Sequence, residues 1–177
     1  VEGGATMTFE LSPALVELVR ACEYGNIFQM ADGYDIAADH EVSYALFARD
    51  GLFQLGRYER RGPIALLAAS TDILDLERML VIDIGNSYRH YNGLPAIELP
   101  YAPEDVRTGY QVVHLGGDIF SLRGPDGEQL GIQIDDYQPT VPVTCRFSHV
   151  ADLPVDDLVA SYLDPHAAPL LTQYLAR

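Results

Sequence analysis

Two runs of strand-like alternation, Val42 to Ala48 and Leu52 to Tyr58, are joined by Arg49-Asp50-Gly51. Asp-Gly between such runs is a hairpin signal, because a tight primed turn needs positive φ at its central residues. A third run, Ile64 to Ala69, follows the turn at 60–63 and extends the meander. Ahead of the hairpin, Ser12 can cap and Pro13 suits the first turn of a helix. Its Leu11, Ala14, Leu15, Leu18, Val19 and Cys22 recur at helical spacing until Gly25. Residues 26–40 read as an irregular surface stretch centred on the turn-forming Asp32-Gly33-Tyr34-Asp35.

Thr71 or Asp72 opens a second helix with Leu76, Met79, Leu80 and Ile84 inward, and Asn92-Gly93 and Pro95 end it. Tyr110 to Leu115, Ile119 to Leu122 and Leu130 to Ile134 form a second set of short strands, separated by Gly116-Gly117 and by the turn at 124–127. Val143 to Val150 reads as a last strand, and helices return at Pro154 to Tyr162 and near Pro169 to Leu175. Strands in consecutive groups, with N-terminal, central and C-terminal helices, predict an α+β fold whose antiparallel sheet is built from hairpins.

A length of 177 residues suits one well-buried core. Residues 1–6 read as an expression remnant ahead of a natural start at Met7, and 7–177 as a single domain. No run reaches the roughly 18 apolar residues of a membrane span and no secretory leader is recognisable, so a cytoplasmic protein is expected. Cys22 and Cys145 fall in different elements and read as buried thiols of a reducing compartment.

Acidic residues number 26 against 11 basic ones, all arginine, giving a net charge of −15. That charge repels phosphate backbones and anionic lipid, so nucleic acid and membrane are unfavourable partners. A basic protein partner fits it, as does a simple solubilising surface.

Catalytic chemistry finds little support. Ser148 and His149, read as neighbours on a strand, point to opposite faces and cannot share a proton. The five histidines lie far apart, and the glycine pairs lack the lysine and helix start of a phosphate cradle. No catalytic, metal or cofactor site is therefore expected. A ligand pocket lined by Tyr44, Tyr58, Tyr110 and His114 stands as the alternative.

The surface offers more. Turn and strand-end positions Gly116, Gly117, Asp118, Asp126, Gly127, Glu128, Asp135, Asp136 and Tyr137 combine carboxylates with a tyrosine, as do Asp32, Gly33, Tyr34 and Asp35. Carboxylates steer association and aromatic rings anchor it, so these residues are the candidate partner interface.

Several fragments share an order and spacing with a known family. They are Tyr44 to Gly51, Ser70 to Leu80, Gly85 with Arg89, Gly109-Tyr110, Phe120-Ser121-Leu122 before Gly127, Phe147-Ser148-His149, Ser161 to Pro165, and Pro169-Leu170. In that order they resemble the bacterial polymorphic-toxin immunity family that includes the immunity factor for the tuberculosis necrotizing toxin. The sequence departs from the family pattern at Met79, where tyrosine is usual, and at Ala168, where glycine often stands. The resemblance implies a cytosolic antitoxin that binds an NAD glycohydrolase toxin one-to-one and occludes its NAD-binding cleft, without cofactor or turnover. A cleft that holds a pyrophosphate must carry positive groups, which loops bearing carboxylates can occupy.

Overall fold

The computed structural model describes residues 8–60 and 62–176; the proposed N-terminal remnant lies outside them. Helix α1 (Pro13–Ala21) begins as its sequence predicts, with the Ser12 hydroxyl accepting from the Leu15 amide. The Ser12 amide in turn donates to Glu77 Oε1 at 2.8 Å, which ties this start to a later helix.

Strands β1 (Asn26–Gln29) and β2 (Gly33–Ala37) follow, then the hairpin β3 (Val42–Arg49) and β4 (Leu52–Glu59), and then β5 (Ala65–Ser70). Asp50 and Gly51 both take positive φ in the β3–β4 turn. Helix α2 (Ile73–Tyr91) crosses to β6 (Gln111–Gly116), β7 (Ile119–Arg123) and β8 (Gln133–Asp135), and α3 (Pro142–Ser148) and α4 (Val155–Leu163) complete the order. All eight strands join one antiparallel sheet ordered β1-β2-β3-β4-β5-β8-β7-β6.

Alternation puts Ile36, Tyr44, Leu46, Phe53, Leu55, Ala68 and Ile134 on one face, buried in a common core with Leu15, Leu18, Leu76, Leu80, Ile84 and Leu158 of the helices. Helices α1, α2 and α4 pack on one another over that face, and α3 packs under β7. The opposite parity, including Phe47, Gln54 and Tyr58, stays outside this core, and the bulge between β4 and β5 places Leu66, opposite Gly56, with it. Gly85 allows α2 and α4 to approach closely, since a Cβ there would lie 2.3 Å from the Tyr162 ring.

Three expectations are corrected. Residues 26–40 are not irregular but hold the β1–β2 hairpin, with Gly33, Tyr34 and Asp35 inside β2 and only Asp32 in the turn. Residues 143–150 form α3 rather than a strand: Pro142 fits its first turn, and Thr144, Cys145, Phe147 and Ser148 are buried by tertiary contact that overrides their β propensity. Near the C-terminus only a 3-10 turn, Thr172–Tyr174, takes the place of a helix.

Fragments that carried the family resemblance turn out to be scaffold. The Ser70 hydroxyl donates to Asp75 Oδ2 at 2.8 Å, and Arg78 pairs with Asp75 at 3.1 Å while donating to the Leu153 carbonyl. Arg89, fully buried, donates to the carbonyls of Pro95, Ser161, Tyr162, Asp164 and Pro165. Asp72 caps α2 by accepting from the Leu74 amide at 3.0 Å. Replacing Asp72 by alanine is expected to cost about 1 kcal/mol in urea unfolding and to leave partner affinity unchanged.

Candidate functional site

Strand order decides which predicted residues meet. Ile119 of β7 pairs with Asp135 of β8, and the Asp136 amide donates to the Asp118 carbonyl at 2.9 Å. Gly116, Gly117, Asp118, Asp135 and Tyr137 therefore share one corner of the sheet. Gln138 locks the hairpin tip by donating from Nε2 to the Gly117 carbonyl at 3.0 Å, beside His114, whose ring stacks on Phe120. Gly116 and Gly117 both take positive φ there, a conformation that favours glycine.

Asp136 belongs to the framework of this corner and not to its surface. It is only 2% exposed, and its Oδ2 accepts from the Thr144 amide at 2.7 Å and the Thr144 hydroxyl at 2.8 Å. Its Oδ1 accepts from the Tyr137 amide, which fixes the turn that presents Tyr137 to solvent.

Exposed apolar groups flank the corner: Tyr137 at 76%, Ile64 at 54%, Leu66 at 43% and Leu115 at 41% exposure. The β5–β8 pairs, Ala69 with Gln133 and Ala68 with Ile134, run antiparallel, so the end of β5 that carries Leu66 lies toward the end of β8 that leads to 135 and 136. The Ile64 side chain lies over Gly56, where an added Cβ would meet it at 2.3 Å. Sequence reading missed Ile64, Leu66 and Leu115 because an unbroken apolar run carries no mark of which face is open.

The remaining candidates lie elsewhere. Asp126, Gly127 and Glu128 form a turn at the far end of β7, roughly 15 Å from Asp118 along a strand of this length. Asp32 shares that end of the sheet but sits five strands across, roughly 24 Å away. Asp35 accepts from the Tyr58 hydroxyl at 2.6 Å, and Tyr34 donates to the Phe9 carbonyl, so both serve the hairpin.

The alternative ligand pocket does not assemble. Tyr44 pairs with Arg57 while Tyr58 pairs with Ser43, which puts the two tyrosines on opposite faces. Tyr44 enters a mixed-charge cleft of about 750 Å3 with Asp83, Arg57 and Arg146, whereas Tyr110 and His114 line a separate groove under β6. Asp83 keeps a solvent-exposed edge, yet the crowding cleft walls raise its carboxyl pKa, partly offset by the Tyr44 hydroxyl at 3.3 Å.

Ser148 and His149 are committed to structure. The Ser148 hydroxyl donates to the Cys145 carbonyl and accepts from the Arg107 amide, while His149 contacts the Tyr174 hydroxyl and the Asp105 carbonyl. Burial pushes both Cys22 and Cys145 thiols up to about 11, so each stays protonated at neutral pH. Among the described residues no group of three or more side chains is arranged to hold a metal, and no helix is long and apolar enough to cross a membrane.

The corner joins an exposed aromatic ring, aliphatic groups and carboxylates on the surface of an α+β fold, and the class of the chain is that of the immunity proteins, antitoxins that bind a toxin. The chain belongs to the family described as Immunity protein 61, whose model matches residues 26–170. It is similar to the immunity factor for TNT of Mycobacterium tuberculosis, at 27% identity over 137 residues, which are 75% of this chain and 73% of that protein. The homolog from Mycobacterium bovis BCG matches to the same extent. The solved structure of Rv3902c from M. tuberculosis shares the fold, with a TM-score of 0.76 at 21% identity over 96% of this chain and 98% of that one.

Proposed function

We propose that this antitoxin is a cytoplasmic, non-catalytic inhibitor, acting as one unit over residues 7–177, that binds an NAD glycohydrolase toxin one-to-one and blocks its NAD-binding cleft. The single observation that carries the reading is the corner around Tyr137. Its ring supplies an anchor, Ile64, Leu66 and Leu115 supply apolar area, and Asp118 and Asp135 supply charge for a basic cleft. Likeness to immunity factors for TNT supports the toxin class. An interface of about 800 Å2 per partner is ordinary for a tight complex, and it is a small share of the 9634 Å2 surface.

Titrating the purified protein into a cognate NAD glycohydrolase toxin domain tests the reading. NAD hydrolysis is expected to fall linearly and vanish at an equal molar ratio. Residual hydrolysis that excess protein does not touch would overturn it.

A further inference from the structure

Strand β6 ends the sheet, and among the described residues no further strand pairs along its outer side. Its sequence, Gln111-Val112-Val113-His114-Leu115-Gly116, contains no lysine, arginine, carboxylate or proline. Sheets ordinarily protect such edges with charge, proline or shortness, because unpaired N–H and C=O groups template another strand. Only the bulge between His114 and Gly116 interrupts this one. The opposite edge, β1, is four residues long and rests against α1.

Beneath β6 runs an open groove of about 490 Å3, lined by Val106, Val112, His114, Phe120, Pro139 and Val141. One end of the edge meets Asp118 and the Tyr137 corner. The groove's other limit is the 3-10 turn Pro103–Asp105, which exposes Glu104 and Asp105. An extended segment bound there finds main-chain partners along β6, apolar room for alternate side chains, and negative charge at both ends.

We infer that β6 and its groove bind an extended strand of the toxin, apolar at alternate positions and flanked by basic residues. This rests on the toxin-inhibitor reading and extends the Tyr137 corner into a continuous interface. A second copy of the chain is disfavoured as occupant, because each copy carries a net charge of −15.

Hydrogen exchange on the complex with the cognate NAD glycohydrolase toxin domain is the test. Alternate residues of an antiparallel edge send their N–H groups inward and outward. The outward amides of β6 are expected to exchange at least tenfold more slowly in the complex, with β1 unchanged. Of Val112→Pro and Val113→Pro, the variant that keeps the wild-type melting curve has lost an outward donor, and its toxin affinity is expected to drop at least tenfold. An inhibited complex in which β6 exchanges as in the free protein overturns this inference and leaves the inhibitor reading standing. Protection of β6 that rises with protein concentration in the absence of toxin also overturns it, since a second copy would then be the occupant. Failure to form any complex removes both.

Discussion

Replacing Arg89 by leucine is expected to remove the cooperative unfolding transition at 37 °C, or to lower stability by about 4 kcal/mol or more. The guanidinium bonds five carbonyls, from 2.6 Å at Pro95 to 3.5 Å at Ser161, at a site with no solvent exposure. Each buried acceptor left without a donor costs about 1–3 kcal/mol, and a domain holds only about 5–15 kcal/mol in total. Lysine does not rescue, because one ammonium with three donors cannot reach the span served by a planar fork. Urea unfolding measures the loss. A midpoint shift worth less than about 1 kcal/mol would mean that the carbonyl cage is dispensable.

The second large effect concerns recognition. The double variant Asp118→Arg with Tyr137→Ala is expected to weaken toxin binding roughly a hundredfold or more, because it removes an aromatic anchor and reverses a charge beside it. Asp126→Arg with Glu128→Arg makes a larger change in net charge at the far end of β7, and should lower affinity less than about fivefold, chiefly through the association rate. Calorimetry with circular dichroism separates binding from folding. Equal losses in the two variants would show that long-range charge, and not the corner, governs recognition.

Much of the fold was legible because local chemistry agreed with tertiary context. Ser12-Pro13 opened α1, Asp72 capped α2, and Asp50-Gly51 turned the central hairpin. It failed where the two disagreed. Val143 to Val150 is rich in strand-forming residues, yet Asp136 holds the Thr144 amide and hydroxyl, and Phe147 is buried in the core beneath. Asp32-Gly33 was read as the centre of a surface turn, while Ile27 and Ile36, which pair across β1 and β2, are too far apart to show alternation by themselves.

The site was legible by residue type and not by place. Turn chemistry marked Asp118, Asp126 and Asp135 equally. Only the insertion of β8 between β5 and β7 groups Asp118 with Asp135 and sends Asp126 to the other end. Asp136 and Asp135 are adjacent, and strand parity turns one inward and leaves the other in solvent.

The meeting of β5 and β8 rests on two residue pairs, Ala68 with Ile134 and Ala69 with Gln133. The β7–β8 ladder is equally short, Ile119 with Asp135 and Phe120 with Ile134, so β8 is a narrow seam between the five-strand block and the β6–β7 hairpin, each of which is knit by longer ladders. Ile64 and Leu66 stand on one side of this seam and Asp118 on the other, while Asp135 and Tyr137 belong to its end. A toxin bound at that corner holds the block and the hairpin at once and works as a clasp, so complex formation should stiffen the antitoxin most around β8, whose two ladders are the shortest of the sheet.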